Sequence, residues 1–158
     1  MLGLNAKLKD LHRNGNSIKV AIAGVGHMGK GLISHIRSIK GMEVVAIANR
    51  NRYTILESLK PLNISTEDSY ILEEGKDLKK NVSIALENKK IILTDNLKVL
   101  TSIKEVDVVL DATGNPEAGA VISLGAISLD VTGDITGGDY QIPPDTTIGT
   151  TLALTSVA

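Results

Sequence analysis

Three observations on this 158-residue chain predict an α/β fold, a parallel sheet with helices on both faces. Apolar, β-branched runs recur at residues 18–23, 43–48, 91–95 and 106–114. Stretches with apolar residues at helical spacing separate them. The runs are near-continuous in their apolar character rather than alternating, as expected of strands covered on both faces. Strands alternating with helices form parallel sheets joined by right-handed crossovers.

Leu4, Leu8 and Leu11 recur at helical spacing, and Asn14-Gly15-Asn16 ends the pattern with residues that tolerate positive φ, so a short amphipathic helix opens the chain. The strand at 18–23 runs into Gly24, and a helix over 27–39 carries Met28, Leu32, Ile36 and Ile39 on one face. Gly41 stops that helix, and EVVAIA at 43–48 completes a strand–helix–strand unit. Residues 50–59 read as a helix broken by Pro61. Periodicity over 63–76 is weak. Leu78, Val82, Ala85 and Leu86 then share a face of a helix over 77–88. A third strand at 91–95, a short helix over 97–103, a fourth strand from Val106 into Gly114 and a helix from Pro116 to about Ser123 follow. Beyond Ile127, glycines and prolines among Asp and Thr predict loops or short β pieces. The expected organisation is a domain over residues 1–128, N-terminal helix included, and a short irregular tail over 129–158.

Composition removes several classes of function. The chain has no cysteine, which excludes disulfides, thiolate nucleophiles and zinc–thiolate sites. A net charge of −1 with scattered Lys and Arg argues against nucleic acid as a partner. No apolar run approaches the roughly 18 residues of a membrane span. The polar start MLGLNAKLKD is unlike a signal peptide, so a cytoplasmic location is expected. Phe and Trp are absent, which leaves Ile, Leu, Val and Ala to fill the interior. His12, His27 and His35 lack the spacing of metal ligands, and no nucleophile elbow is present.

The informative stretch is Gly24-Val25-Gly26-His27-Met28-Gly29, which has the G-x-G-x-x-G spacing. Such spacing alone also suits an ordinary tight turn. Placed between an apolar strand and a helix, with a second strand after it, it matches the phosphate loop of the Rossmann-type dinucleotide fold. Gly24 would permit the turn, Gly26 would let a pyrophosphate approach the backbone, and Gly29 would let helix and strand pack closely. The helix start would then present unpaired N–H groups and a positive dipole end to the phosphates.

About 20 residues beyond the last glycine, an acidic side chain normally receives the ribose hydroxyls of NAD. Here the second strand ends in Asn49-Arg50-Asn51-Arg52. Two guanidinium groups and no carboxylate favour a 2′-phosphate, so NADP is the expected cofactor, with NAD as the alternative. Arg50 and Arg52 are the candidate phosphate ligands, Arg52 being the better candidate for a mere solvated helix-start residue. At the end of the fourth strand, Ala112, Thr113 and Gly114 offer small residues where the nicotinamide half of a dinucleotide would pass, the competing reading being a plain strand-ending turn.

IKVAIAGVGHMGKGL, GMEVVAIANRN, IILTDNLKVL and VDVVLDATGNPEAGAVISL together resemble the amino-terminal domain of the homoserine dehydrogenase-like oxidoreductases that carry a SAF domain, a group that includes 1-deoxy-D-xylulose 5-phosphate reductoisomerase-like enzymes. The resemblance extends to about Ile127. It implies a cofactor loop at Gly24, Gly26 and Gly29, a ribose end at Asn49 and Arg50, and a nicotinamide side at Thr113 and Gly114. It also implies hydride transfer between NADP(H) and a carbonyl or alcohol substrate of unknown identity. The family continues into a catalytic region that has no assignable counterpart in this sequence, so no catalytic residue is named. A dinucleotide-binding module or shortened subunit without catalysis is the alternative. An open sheet edge makes a homo-oligomer possible.

Overall fold

The computed structural model describes residues 3–73 and 77–122. The proposed boundary at residue 128 and the tail expected over 129–158 lie outside the described residues. Five parallel strands form one sheet in the order β3-β4-β2-β1-β5, where β1 is Ile18–Ala23, β2 Met42–Ala48, β3 Ser69–Ile71, β4 Ile91–Thr94 and β5 Val108–Asp111. The helices are α1 (Leu4–Arg13), α2 (His27–Ser38), α3 (Arg52–Leu59), α4 (Leu78–Glu87) and α5 (Leu97–Ser102), and residues 116–122 are helical after β5. This is the α/β, Rossmann-type architecture that the strand–helix alternation predicts.

Two cores, one on each face, hold the sheet between its helices. Val20, Ile22, Val44, Ile47 and Leu93 pack with Ile33 and Ile36 of α2 and Ile55 and Leu59 of α3. On the opposite face Ala21, Ala23, Ala46, Ala48 and Ile92 meet Val82 and Ala85 of α4, Leu100 of α5, and Ile122. Each large side chain so buried contributes about 1.5–3 kcal/mol. Along β1 the faces alternate residue by residue. In β2 the alternation slips: Val20 is opposite Val44 but Ala21 is opposite Ala46, so Val45 is an extra residue that shares a face with Ala46.

Several boundaries differ from expectation. The short strand β3 falls within the stretch of weak periodicity; three residues at a sheet edge are too few to show a period. It pairs with β4 alone. The helix expected from residue 50 begins at Arg52, because Asn51 caps it by accepting a hydrogen bond from the Tyr53 N–H at 2.9 Å. In α2 the buried residues are Gly29, Ile33 and Ile36, whereas Met28 is 69% exposed, so the inward face is rotated from the one expected. At the far end of the sheet, Gly41 has φ +94° and lies against the Leu8 backbone, so that a Cβ there would overlap the Leu8 carbonyl. That contact, with buried Leu8, seats α1.

Candidate functional site

Strand order locates the site. From β1 the chain moves to β2 and on to β3 and β4 on one side, then crosses back to place β5 on the other side of β1. The direction of winding therefore reverses between β1 and β5, and open α/β sheets bind ligands outside the carboxyl ends of the strands at such a point. Four loops meet there, tied by backbone hydrogen bonds. Ala112 N–H donates to Ala23 O at 2.8 Å, Gly24 N–H to Ala48 O at 2.7 Å, and Asn49 N–H to Thr94 O at 3.1 Å. The residues after β5, β1, β2 and β4 thus form a continuous row: 112–114, 24–29, 49–50 and 95.

The three glycines of the loop have three different surroundings. Gly24 has φ +96°, and a Cβ on it would stand 2.7 Å from Ala112 O and 3.0 Å from Thr113 N. It makes both the turn and the close contact between the β1 and β5 loops. Gly29 is buried beneath the helix, and a Cβ there would overlap the Gly24 carbonyl. Gly26 is the opposite case: it is exposed, and no atom lies within 4 Å of the position a Cβ would take. Its missing side chain relieves no crowding within the described protein. Gly26 is also the N-cap of α2, extended at φ −67°, and no side chain among the described residues caps that helix. The first intrahelical bond is donated by Lys30 to Gly26 O at 3.0 Å, so the N–H groups of His27, Met28 and Gly29 precede the helical ladder.

The other expected site residues fall into distinct places. Val25 is 5% exposed and its side chain belongs to the core, so only its backbone can face a ligand. His27 and Met28 point outward on the first turn of α2. Ala112, Thr113 and Gly114 form a self-tied turn: Asp111 Oδ1 accepts from the Thr113 N–H at 2.9 Å and its hydroxyl at 2.6 Å, and Gly114 has φ +64°. Asn49 is half-buried beside the β4 loop, and Arg50 is exposed with no carboxylate among the described residues in ion-pair range.

Arg52 is not a solvated helix-start residue. Its side chain is 23% exposed, its Nε is 3.6 Å from Asp95 Oδ2, and its guanidinium lies 5.5 Å from the centroid of the Tyr53 ring. Asp95 is the residue that sequence reading passed over. A ribose-binding acid is sought at the end of β2, and this one follows β4, adjacent only because β2 and β4 pair with Ala48 opposite Thr94. Among the described residues no group of three or more His, Asp or Glu could hold a metal ion, and no helix is long and apolar enough to cross a membrane.

No protein-family model matches the chain, and no curated protein matches it. Among solved structures, the chain is similar to scyllo-inositol dehydrogenase from Lactobacillus casei, determined with bound NAD(H) and scyllo-inositol, at 12% identity and a TM-score of 0.44. The match covers 69% of this chain and 26% of that protein, so this chain corresponds to about a quarter of that protein's length.

Proposed function

We propose that this chain is the dinucleotide-binding domain of an NAD(P)-dependent oxidoreductase, of the homoserine dehydrogenase-like kind that its motifs resemble. The observation that carries the reading is Gly26. A glycine with open space where its side chain would be, at the uncapped start of a helix beside the winding reversal, is shaped for something that approaches the backbone closely. A pyrophosphate fits, since the amides of residues 26–29 and the helix dipole favour negative charge there. Gly24 and Gly29 support the cradle without touching the ligand. Asn49 and Arg50 would lie at the adenosine ribose, and exposed Arg50 favours the 2′-phosphate of NADP over NAD. Ala112, Thr113 and Gly114 would lie beneath the nicotinamide. When bound, the cofactor supplies hydride-transfer chemistry toward a carbonyl or alcohol.

A second reading is a binding module without catalysis: among the described residues of the carboxyl-end row the carboxylate of Asp95 is paired with Arg52, and no catalytic residue is assigned by the motifs. Titration of the purified chain with NADPH and NADH, followed by nicotinamide fluorescence and melting temperature, tests binding itself. The Gly26→Val variant should melt as the parent does and lose at least about tenfold in affinity for both nucleotides, the cost of crowding a charged contact. Normal binding by a folded Gly26→Val variant would show that the bend is only a turn. Consumption of NADPH with hydroxy or keto acids separates the two readings.

A further inference from the structure

The turn after β5 decides where one hydroxyl proton points. Thr113 Oγ1 is 2.6 Å from Asp111 Oδ1 and 3.5 Å from Asn115 O. The shorter contact has the length of a charge-assisted bond, so the proton goes to Asp111. The same Oδ1 accepts the Thr113 N–H at 2.9 Å, and Thr113 Oγ1 accepts the Asn115 N–H at 3.2 Å. A hydroxyl has one proton and two lone pairs, so among the described residues one lone pair of Thr113 remains for a partner that donates. Gly119 makes room for the carboxylate, since a Cβ on it would stand 2.9 Å from Asp111 Oδ2. The loops that leave β1 and β5 part to opposite faces, α2 packing through Ile33 and Ile36 on one and the helix over 116–122 through Ile122 on the other. The turn over 112–115 is thus one wall of the opening between them, at the winding reversal.

Resting on the dinucleotide reading above, we propose that Thr113 recognises the nicotinamide carboxamide by accepting a hydrogen bond from its amide N–H, and that Asp111 is the positioning residue that keeps this hydroxyl an acceptor. The carboxamide offers a carbonyl that accepts and a nitrogen that donates. A hydroxyl free to rotate serves either, and leaves the group free to lie either way round. With its proton held by Asp111, Thr113 can meet only the nitrogen, so the carboxamide is held in one orientation. Without the carboxylate the proton can turn outward and donate to a carbonyl instead. The preference is then lost although the hydroxyl remains.

The experiment compares NADP with its acetylpyridine analogue, in which a methyl group replaces the amide nitrogen and the carbonyl stays. Each displaces NADPH from the purified chain, followed by nicotinamide fluorescence. The parent should hold the analogue about fivefold more weakly than NADP, the scale of one hydrogen bond between neutral groups. Thr113→Val and Asp111→Ala should each bring the two dissociation constants to within about twofold, and Thr113→Ser should keep the parental ratio. A merely structural role of either side chain would weaken both nucleotides alike and leave the ratio unmoved. Parent protein that does not bind NADPH overturns the dinucleotide reading and this inference with it. Parent protein that binds NADPH but holds both competitors equally, or a ratio unmoved by Thr113→Val, overturns the role of Thr113 alone. A parental ratio in Asp111→Ala overturns that of Asp111. Should Thr113→Val or Asp111→Ala fail to fold, the parent and Thr113→Ser decide, since a ratio near one in either overturns the proposal.

Discussion

Two glycines three positions apart do opposite work. Gly29 is needed for the fold: its hydrogen stands where a methyl group would strike the Gly24 carbonyl. Gly29→Ala should therefore destabilise the chain by about 1–3 kcal/mol or more, as overpacking does, while Gly26→Ala should leave its urea midpoint almost unchanged. Equal losses would show that the cradle at Gly26 is filled by the protein itself. Arg50 belongs to the same scale. Arg50→Ala should weaken NADPH binding by about 1–3 kcal/mol and leave NADH nearly untouched, measured by fluorescence titration. Equal effects on both would remove the 2′-phosphate role. The glycine spacing was legible because each turn of the backbone has a local steric demand. The engagement of Arg52 was not, since Asp95 lies far along the chain and only strand pairing brings the two together.

Elements were legible where their stabilisation is local. α3 starts where an Asn side chain caps it, and α4 and α5 start likewise at Asp77 and Asn96. Asn51→Ala should cost about 0.5–2 kcal/mol of stability, measurable by denaturant unfolding, and should also disturb the adjoining Arg50 and Arg52. A midpoint unchanged by that substitution would mean that packing of Ile55 and Leu59 alone defines the helix. α2 differs from these in having glycine at its cap. Ile33 and Ile36 bury its inward face, and its first turn has no side-chain cap among the described residues. β3 was illegible because a three-residue edge strand is held by one neighbour's backbone rather than by its own pattern.

Across the whole molecule, charge and pH enter through a turn away from the proposed site. Asp68 accepts hydrogen bonds from the Ser65 N–H at 2.9 Å and the Ser65 hydroxyl at 2.8 Å, which, with a smaller contribution from Arg37, hold its carboxyl below the ordinary carboxylate range. A carboxylate with a depressed folded-state pKa stabilises the fold above its unfolded value, and that contribution is lost as pH falls through the folded one. Acid unfolding of Asp68→Asn should accordingly be less steep with pH below the ordinary carboxylate range than that of the parent, while nucleotide binding near neutrality stays unchanged. An identical acid limb would show that the turn reforms in the unfolded chain.

Local chemistry in the chain was enough to settle the alternation of strands and helices and the positions of most of their ends, because turns, caps and periodic burial act over a few residues. Strand order, the slipped residue Val45, the seating of α1 on Gly41 and the meeting of Asp95 with Arg52 were decided by packing at long range. Which strand lies beside which depends on how two apolar faces are covered at once, and no single stretch of residues carries that information.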